Sequence, residues 1–512
     1  NLFHTRLSNY LHHIYVVDDP VGGTAPGQSG YPLHITGAVP LPPSQESTSI
    51  TIQITENQRV QFHGISAARD STPIRVVVEE GAFRDVSNNT NALTTPALIA
   101  TEIVDGTFPE VIAISLNFSN GMMVLESTET LDVDDDLVGV STSKFDLSLV
   151  RVVNTTGDVP DLSIPIQSIL PPGGVDLSGG TVIPLDGTSI TIKMLESKRV
   201  IALRISGTPG GDNTTTIVDV LSGAFRDIAG NLVTSSSNII VTEFPDIVSP
   251  LVQTAALNLG TGLLELIFGE TVDGRVTPLD LARGWMGFDI LGESVMLLNV
   301  TTPLTERNTT LQFSINEPSR IRLIKLLQLP PIGNAYLSLP GSFAVDLAGN
   351  PSDYAPNISV VPTGDSIPPV VLSISLNYSN GVMNIEASEE LDVTLPEILD
   401  LSKISVRNTA TGTDLLTNLD STTNGYLATT YVALDSTTLT ITVPEALRVY
   451  ILSFSGTPGG DGGAAVVQLD VNTVTDIALN SIHAVPADSS LAYAVTLIEH
   501  PDIVRPQLLD VE

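Results

Sequence analysis

One nine-residue phrase recurs along this chain and limits what the chain can fold into. The four copies read GAFRDVSNN at 81–89, GAFRDIAGN at 223–231, GSFAVDLAGN at 341–350 and, reduced, VTDIALN at 474–480. The aligned acids are Asp85, Asp227, Asp346 and Asp476, at intervals of 142 (227−85), 119 (346−227) and 130 (476−346) residues. Intervals of this length indicate that whole domains are repeated.

The residue types in the phrase predict a tight turn between two late strands of each repeat. Strand-like residues precede it, as in TIVDVLSGAF, and follow it, as in NIIVTEF at 238–244. Gly and Asn near its end tolerate the positive φ that such turns require. We therefore assign the four aligned Asp residues a structural role.

A second recurring signal is Glu-x-x-Arg, which lies 29 or 31 residues before the acid of the phrase. Its copies are Glu56/Arg59, Glu196/Arg199, Glu317/Arg320 and Glu445/Arg448. An alternating run such as TSITIKML precedes it and an apolar run such as RVIALRI follows it. Period-two alternation predicts strands. We predict two strands joined by a short structural corner, where one helical turn brings the opposite charges together.

A third signal, Asp-x-x-x-Pro, closes each repeat. It occurs at Asp105/Pro109, Asp246/Pro250, Asp365/Pro369 and Asp502/Pro506. Proline between apolar runs is typical of linkers because it restricts the backbone. We predict domains at residues 1–105, 106–246, 247–365 and 366–502, here called modules 1 to 4. Residues 503–512 are predicted to be the first strand of a further module.

Module 1 is predicted to be incomplete. Aligning VVDDP at 16–20 with VVNTT at 152–156 places Asn1 opposite residue 137 of module 2. Counted from the linker proline at 109, module 1 therefore lacks about 28 residues that module 2 has (137−109), and these correspond to the first two strands. A strand from another copy could complete it, because sheet edges offer free hydrogen-bonding groups. Alternatively, these residues are a section of a long continuous chain. The second explanation is simpler, because residues 503–512 supply only one strand.

Composition narrows the possible partners. A length of 512 residues suggests roughly three or four domains. The net charge of −35, from 57 acidic and 22 basic residues, argues against binding to nucleic acid or anionic lipid. Without any cysteine, the chain has no disulfide, thiolate metal site or cysteine nucleophile. Its apolar runs are too short for a membrane span.

Eight Asn-x-Ser/Thr sequons fit an exported glycoprotein that carries N-linked glycans. They begin at Asn88, Asn117, Asn154, Asn213, Asn299, Asn308, Asn357 and Asn377. A chain rich in Asn, Ser and Thr also produces some of these by chance.

The combined pattern resembles a known family of repeats. The Asp-x-Ala-Gly-Asn turns, the Asp-x-x-x-Pro linkers and the phrases FGETVDG (268–274) and VDLAGN (345–350) are similar to tandem immunoglobulin-like (Big-type) repeats of microbial and algal extracellular surface proteins. The resemblance covers essentially the whole chain. It implies an all-β fold, with four Ig-like antiparallel β-sandwich modules in tandem and the first one incomplete.

The same resemblance implies a candidate calcium site between modules. In bacterial relatives the linker Asp and acids of an adjoining loop can bind calcium, which takes six to eight oxygen ligands. The candidates here are the linker acids and the first acid of a Glu-x-x-Asp signal: Asp105, Asp246, Asp365, Asp502, Glu129, Glu270 and Glu389. The alternative is that these acids are turn formers and exposed charges. No other cofactor is expected.

Catalytic signatures are missing from the sequence. It has no HExxH motif, GxSxG elbow, P-loop or dinucleotide fingerprint. We therefore expect a non-catalytic structural segment of an extracellular filament or surface appendage, such as a flagellar hair (mastigoneme), that associates with itself. The alternative is a calcium-stiffened adhesin stalk or S-layer-like cell-surface protein whose binding tip lies outside this sequence. An enzyme would require a segment that is not repeated.

Overall fold

The computed structural model describes residues 11–18, 31–41, 49–67, 71–85, 87–134, 144–154, 174–274, 287–290, 293–296, 307–327, 335–394, 398–408, 416–420, 429–487 and 491–506. The chain forms two compact units, Asn1–Val248 with Leu347–Gly349, and Ser249–Asp346 with Asn350–Glu512. Strands account for most of the regular structure, so the fold is all-β as predicted.

Among the described residues of modules 1 and 2, the first unit has fourteen strands. In module 1 they are β1 (Ile14–Val17), β2 (Leu33–His34), β3 (Val39–Pro40), β4 (Ile52–Gln53), β5 (Arg75–Val78) and β6 (Leu98–Ile99). In module 2 they are β7 (Val111–Asn117), β8 (Met122–Leu131), β9 (Val150–Asn154), β10 (Val175–Asp176), β11 (Thr181–Val182), β12 (Gly187–Lys193), β13 (Thr216–Val220) and β14 (Ser236–Phe244).

The described part of the second unit continues the series through modules 3 and 4. Module 3 has β15 (Val252–Asn258), β16 (Leu263–Asp273), β17 (Gly287–Ile290), β18 (Glu293–Met296), β19 (Arg307–Ser314), β20 (Ala335–Leu339) and β21 (Ala355–Thr363). Module 4 has β22 (Val371–Asn377), β23 (Val382–Asp392), β24 (Ile404–Asn408), β25 (Leu416–Asn418), β26 (Thr430–Tyr431), β27 (Ser436–Thr442), β28 (Ala465–Leu469), β29 (Thr475–Asp476) and β30 (Leu497–His500).

Each sheet takes its strands from a single module. The strand orders are β2-β1-β5-β6 and β3-β4 in module 1, β10-β9-β13-β14-β7-β8-β12-β11 in module 2, and β18-β17-β20-β21-β15-β16-β19 in module 3. Module 4 has β26-β27-β23-β22-β30, with β29 also paired to β23, and a separate sheet β25-β24-β28.

One strand pair in each of modules 2, 3 and 4 is parallel, whereas the sequence predicted antiparallel sandwiches. The module's last strand runs parallel to its first, in the pairs β14 with β7, β21 with β15 and β30 with β22. The other ladders are antiparallel, including the hairpins β7-β8, β15-β16 and β22-β23. This pairing places the first strand of a module beside its last strand, with both running in the same direction.

The segment after each Glu-x-x-Arg differs from the prediction, because it is a helix and not a second strand. The helices are α1 (Glu56–Gly64), α2 (Glu196–Arg204), α3 (Glu317–Leu327) and α4 (Glu445–Leu452). Thr55 caps α1, accepting a hydrogen bond from Gln58 N while the Gln58 side chain accepts one from Thr55 N. This capping box satisfies the free amides of a first turn. Residues 199–203 in α2 are all buried, so this helix shows no alternation of polar and apolar faces over these residues.

Each module contributes most of the residues of one hydrophobic core, and module 1 has the smallest. Its buried cluster consists of Leu11, Ile14, Ile35, Ala38 and Ala82. The clusters of the other modules are larger and include fully buried aromatic residues, among them Phe118, Phe225, Phe313 and Tyr378. Three short 3-10 helices, Leu11–His13, Leu147–Leu149 and Leu401–Lys403, precede strands in the described residues.

The predicted strand after module 4 is not observed in the part of it that the structure describes. Residues 503–506 are in no strand, and residues 507–512 lie outside the described residues. No described helix is long and apolar enough to cross a membrane.

Candidate functional site

In the recurring turn, an Asp carboxylate accepts hydrogen bonds from the backbone amide and the side-chain amide of an Asn. In module 2, Asp227 N donates to Asn231 O at 2.9 Å, while Asn231 N and Nδ2 donate to the two Asp227 carboxylate oxygens at 2.8 and 2.9 Å. Gly230 takes a φ of +91°. Asp476 and Asn480 repeat the arrangement at 2.8 and 2.9 Å. Both Asp side chains are buried.

Each Glu-x-x-Arg pair forms a two-point ion pair on the first turn of its helix. In α2, Arg199 Nε and Nη2 donate to the Glu196 carboxylate at 2.7 and 2.8 Å. The remaining nitrogen, Nη1, donates to the linker acid Asp246 at 2.7 Å. The four Arg residues thus share a geometry in which a fork binds one acid and the third nitrogen reaches the linker.

In the first unit, such a pair meets acids of the following module and forms a cluster. Glu56 Oε1 accepts a hydrogen bond from Thr130 N of module 2 at 2.9 Å, and Arg59 Nη2 lies 4.0 Å from Glu129 Oε2. Arg59 also donates to Asp105. The first junction cluster is defined as Glu56, Arg59, Asp105, Glu129 and Asp227.

The second unit repeats this arrangement between modules 3 and 4. Arg320 donates to Glu389 at 2.8 Å and to Asp365 at 2.5 Å, and Glu317 Oε1 accepts from Glu390 N at 3.1 Å. The second junction cluster is defined as Glu317, Arg320, Asp365, Glu389 and Asp476. The Arg320 and Glu389 side chains are only 5% and 8% exposed, so this ion pair is screened little by solvent.

The turn of the later module also contacts the linker. Asn231 Nδ2 donates to Asp105 O at 3.3 Å, and Asn480 Nδ2 donates to Asp365 O at 3.4 Å. In the second unit Ile477, next to Asp476, is buried in the hydrophobic core of module 3. Each junction therefore combines ion pairs, main-chain hydrogen bonds and, in the second unit, apolar packing.

Burial and like charges change the acidity of the central Glu in each cluster. Desolvation, together with the neighbouring Asp carboxylates, raises the pKa of Glu129 and of Glu389 to about 7. Burial would also raise the pKa of Glu56, but hydrogen bonds from Arg59 and Thr130 bring it down to about 2. In the first junction cluster, Glu129 therefore holds a proton more readily than Glu56.

Three carboxylates in each cluster are close enough to hold a cation. Ligand oxygens of Asp105, Glu129 and Asp227 lie within 4.8 Å of one another, as do those of Asp365, Glu389 and Asp476. All-oxygen donors suit a hard ion such as calcium. The Arg of each cluster already brings a positive charge to the linker Asp. Glu129 Oε2 is buried without a hydrogen-bond partner among the described atoms.

The other predicted calcium ligands are placed differently. Asp502 binds Arg448 of its own module at 3.0 Å. Asp246 belongs to the first unit and Glu270 to the second. Asp85, the module 1 counterpart of Asp227, is exposed, and its carboxylate is bound by Asn89 at 2.8 and 2.9 Å. Asp346 binds Asn350 in the same type of turn at 2.7 and 2.8 Å.

The predicted sequons differ in exposure. Four of their Asn residues are exposed, namely Asn88, Asn213, Asn308 and Asn357. Three are partly buried, namely Asn117, Asn154 and Asn377, and Asn299 lies outside the described residues. Asn154 Nδ2, the atom that would carry a glycan, donates to Asp212 at 2.7 Å.

Two acids of the clusters were missed as site residues by the sequence reasoning. Asp227 and Asp476 were assigned only to a turn, but the structure places them beside the linker Asp and the Glu of the clusters. Their recurrence in every repeat was the available signal. Only the packing of one module on the next reveals which acids they face.

Comparisons with known proteins identify no family. No protein-family model matches the chain, and no curated protein matches it in sequence. Solved structures that are similar over much of the chain include the Bacteroides ovatus mixed-linkage glucan utilization locus SGBP-B in complex with a mixed-linkage heptasaccharide, at 10% identity, 79% coverage of this chain and 69% of that one. Its TM-score is 0.17.

Two further similar structures are a marsupial T cell receptor and the BSP domain of a biofilm associated protein. The receptor has 9% identity and a TM-score of 0.12, with 74% of this chain and 98% of that one covered. The BSP domain has 9% identity and a TM-score of 0.11, with 98% and 89% covered. TM-scores this low carry no argument about architecture or function.

Proposed function

We propose that this chain is a non-catalytic structural segment of an extracellular filament or surface appendage, in which Ig-like modules are joined end to end. The observation that carries the proposal is the repeated junction cluster. Two Glu, two Asp and one Arg at five equivalent positions join module 1 to module 2 and module 3 to module 4. A contact built twice from the same sequence signals favours a regular, load-bearing array.

The geometry of the clusters favours stiff junctions. Backbone amides of the later module donate to the Glu that starts the helix, while its Asn donates to the linker backbone. Hydrogen bonds to charged groups are stronger than neutral ones, and buried ion pairs are costly to break one partner at a time. Rotation of one module against the next would break several of these bonds together.

The sequons support an extracellular location, since four of the eight begin at exposed Asn residues. N-linked glycans and further copies of the chain are the partners of this proposal. The absence of catalytic signatures from the sequence supports a structural role.

Electron microscopy of the full chain tests the proposal. We expect modules 1–2 and modules 3–4 to keep narrow distributions of inter-module angle, and native material to form regular filaments. Arg59→Gln and Arg320→Gln should broaden these distributions, because each leaves the acids of one cluster without their cation. Arg448→Gln is the matched control, since the described partners of Arg448 are within module 4. Equal flexibility in all three variants and the parent would contradict the proposal.

A second candidate function is a calcium-stiffened adhesin stalk, which the three converging carboxylates in each cluster favour. Asp105, Glu129 and Asp227, with their counterparts Asp365, Glu389 and Asp476, would hold the ion. The same microscopy in EDTA and in millimolar calcium separates the two candidates. Angle distributions that are narrow in both solutions support arginine-based junctions, whereas stiffness that needs calcium supports the stalk.

A further inference from the structure

In each of modules 2, 3 and 4, an N-terminal β-hairpin lies between two equivalent strands of that module. In module 2 the hairpin β7-β8 lies between β14, which pairs with β7, and β12, which pairs with β8. In module 4 the hairpin β22-β23 lies in the same way between β30 and β27. Module 3 places β15-β16 between β21 and β19. The two flanking strands therefore form a slot for a hairpin.

Module 1 contains the flanking strands of this slot. Strand β4 directly precedes α1 as β12 precedes α2, and β3 pairs with it as β11 pairs with β12. Strand β6 corresponds to β14 by a shared side-chain contact. Glu102, after β6, accepts from the amides of Ala67 and Ile74, just as Glu243 in β14 accepts from Gly207 and Thr216.

The outer edges of both strands are open among the described residues. The described ladder partner of β4 is β3, and that of β6 is β5. In the part of module 1 that the structure describes, neither strand has the neighbour that a hairpin supplies in the other modules. Unpaired edges are templates for the addition of strands.

Side chains that the hairpin covers elsewhere are exposed in module 1. Six residues before the first Glu of each helix lies an aliphatic residue that is 1%, 1% and 2% exposed at Ile190, Leu311 and Leu439. The corresponding Ile50 is 45% exposed. Leu98 of β6 is 56% exposed, whereas its module 2 counterpart Ile239 is partly buried against the hydrophobic core. Covering these side chains would remove apolar surface from water.

Among the described residues, the arginine of module 1 also has no counterpart of the carbonyl ligand that the hairpin provides elsewhere. Arg199 donates to Phe118 O just after β7, Arg320 to Leu259 O after β15 and Arg448 to Tyr378 O after β22. No described residue gives Arg59 such a carbonyl. Its side chain is 30% exposed, against 5% for Arg199. With respect to the described residues, the slot thus has two open strand edges, uncovered aliphatic side chains and a guanidinium with a free donor direction.

We infer that module 1 is a docking site for a β-hairpin of this repeat, supplied from outside residues 1–512. The partner is a two-stranded segment with the alternating apolar pattern of VIAISLN and MMVLEST joined by a short Asn-Gly turn. One of its strands adds parallel to β6 and the other antiparallel to β4. The carbonyl after its first strand accepts a hydrogen bond from Arg59.

A synthetic peptide of residues 109–133, the module 2 hairpin, is the probe for this site. Mixed with the full chain, it should bind with one-to-one stoichiometry in isothermal titration calorimetry. In hydrogen exchange it should slow the amides of β4 and β6 at least tenfold and leave those of β12 and β27 unchanged. A peptide of the same composition in shuffled order is the control.

Two chain variants locate the binding. Ile50→Asp places a charge on the partly exposed face that the hairpin should cover, and Arg59→Gln removes the donor to its carbonyl. Each should weaken binding at least tenfold, while the matched variants Asn57→Asp and Arg448→Gln should not. Without peptide, hydrogen exchange of the α1 amides that equals the rate in the parent protein shows that a variant is folded.

Three outcomes would overturn the inference. These are no binding of the peptide, protection that does not include β4 and β6, and protection of β4 and β6 in the free chain. The last result, with a mass that rises with concentration, would show that a second copy fills the slot. With a monomeric mass, it would show that other residues of this chain fill it.

Discussion

At the scale of single residues, the arginine of each junction cluster is the group on which the other charges depend. Arg320 is 5% exposed and contacts three carboxylates and a main-chain carbonyl. Removing such a residue lowers the stability of the fold strongly, because the acids that remain are buried without a counter-charge. A single substitution should therefore have a larger effect here than at an exposed pair.

Arg320→Gln is expected to lower the free energy of unfolding of the second unit by about 3 kcal/mol or more, as is typical when one partner of a buried pair is removed. Chemical denaturation followed by circular dichroism measures it. Arg448→Gln, whose Glu445 partner is 72% exposed, should cost clearly less. Equal losses for both variants would mean that contact with the next module adds nothing.

The central Glu of the cluster predicts a dependence on pH. Because the pKa of Glu389 is raised to about 7 in the folded protein, the folded state binds a proton more tightly than the unfolded state. This group's contribution to stability is greatest at low pH and is lost as the pH rises from about 4.5 to 7. Glu389→Gln should therefore gain stability relative to the parent as pH rises, by up to about 3 kcal/mol between pH 4 and 8.

Thermal and urea denaturation of both proteins across this pH range measure the difference. Glu445→Gln is the control with the opposite sign, because hydrogen bonds from Arg448 lower the pKa of Glu445. The contribution of Glu445 to stability is lost as the pH falls through its lowered pKa. A Glu389→Gln profile parallel to that of the parent would rule out titration of this group in the window.

At the scale of elements, local chemistry predicted the turns and most strands, but two features required tertiary information. The alternating runs before Glu-x-x-Arg are strands, and the Asp-x-Ala-Gly-Asn phrase is a turn. The runs RVIALRI and RVYILSF favour strands because they are rich in β-branched and apolar residues, and periodicity does not distinguish a strand from a buried helix in short runs. The Thr55-x-x-Gln58 capping box is the feature of the sequence that indicates the start of α1.

The parallel pairing of first and last strands could not be predicted from strand patterns. It joins residues far apart in sequence, such as Ile114 and Val241. The junction clusters have the same origin, since Asp105 and Asp227 belong to different modules. Sequence repetition identified most of the residues involved, whereas only the packing of modules showed which acids meet.

The turn offers a test at the element scale. The residue before its Asn has positive φ in each described copy, and module 4 has Leu479 there at +70° where module 2 has Gly230. A left-handed conformation costs a side chain about 1 kcal/mol or more, and glycine avoids this while losing more freedom on folding. Leu479 is 67% exposed, so Leu479→Gly should stabilise the turn by up to about 1 kcal/mol with no loss of core packing.

Hydrogen exchange of the peptide covering residues 474–482 should slow in Leu479→Gly. The reciprocal substitution Gly230→Leu should speed exchange at the module 2 turn, although a Cβ at Gly230 meets nothing within 4 Å. If exchange is unchanged in both variants, backbone conformation does not limit the stability of these turns.

At the scale of the whole molecule, the four modules have equivalent strands, and they differ in whether a hairpin covers the edges of those strands among the described residues. Modules 2, 3 and 4 each surround an N-terminal hairpin, and modules 1 and 3 each send a Glu-x-x-Arg helix to the module that follows. Repetition of both features within one chain is what an extendable array requires.

The parallel pair has a mechanical consequence. In module 4 the incoming linker leads into β22 and the outgoing linker leaves β30, and these neighbours run in the same direction. Tension along the chain pulls the start of β22 and the end of β30 in opposite directions. Their hydrogen bonds are then loaded together in shear and cannot be unzipped one by one. Modules 2 and 3 have the same arrangement, so each can bear tension through the pair that closes it.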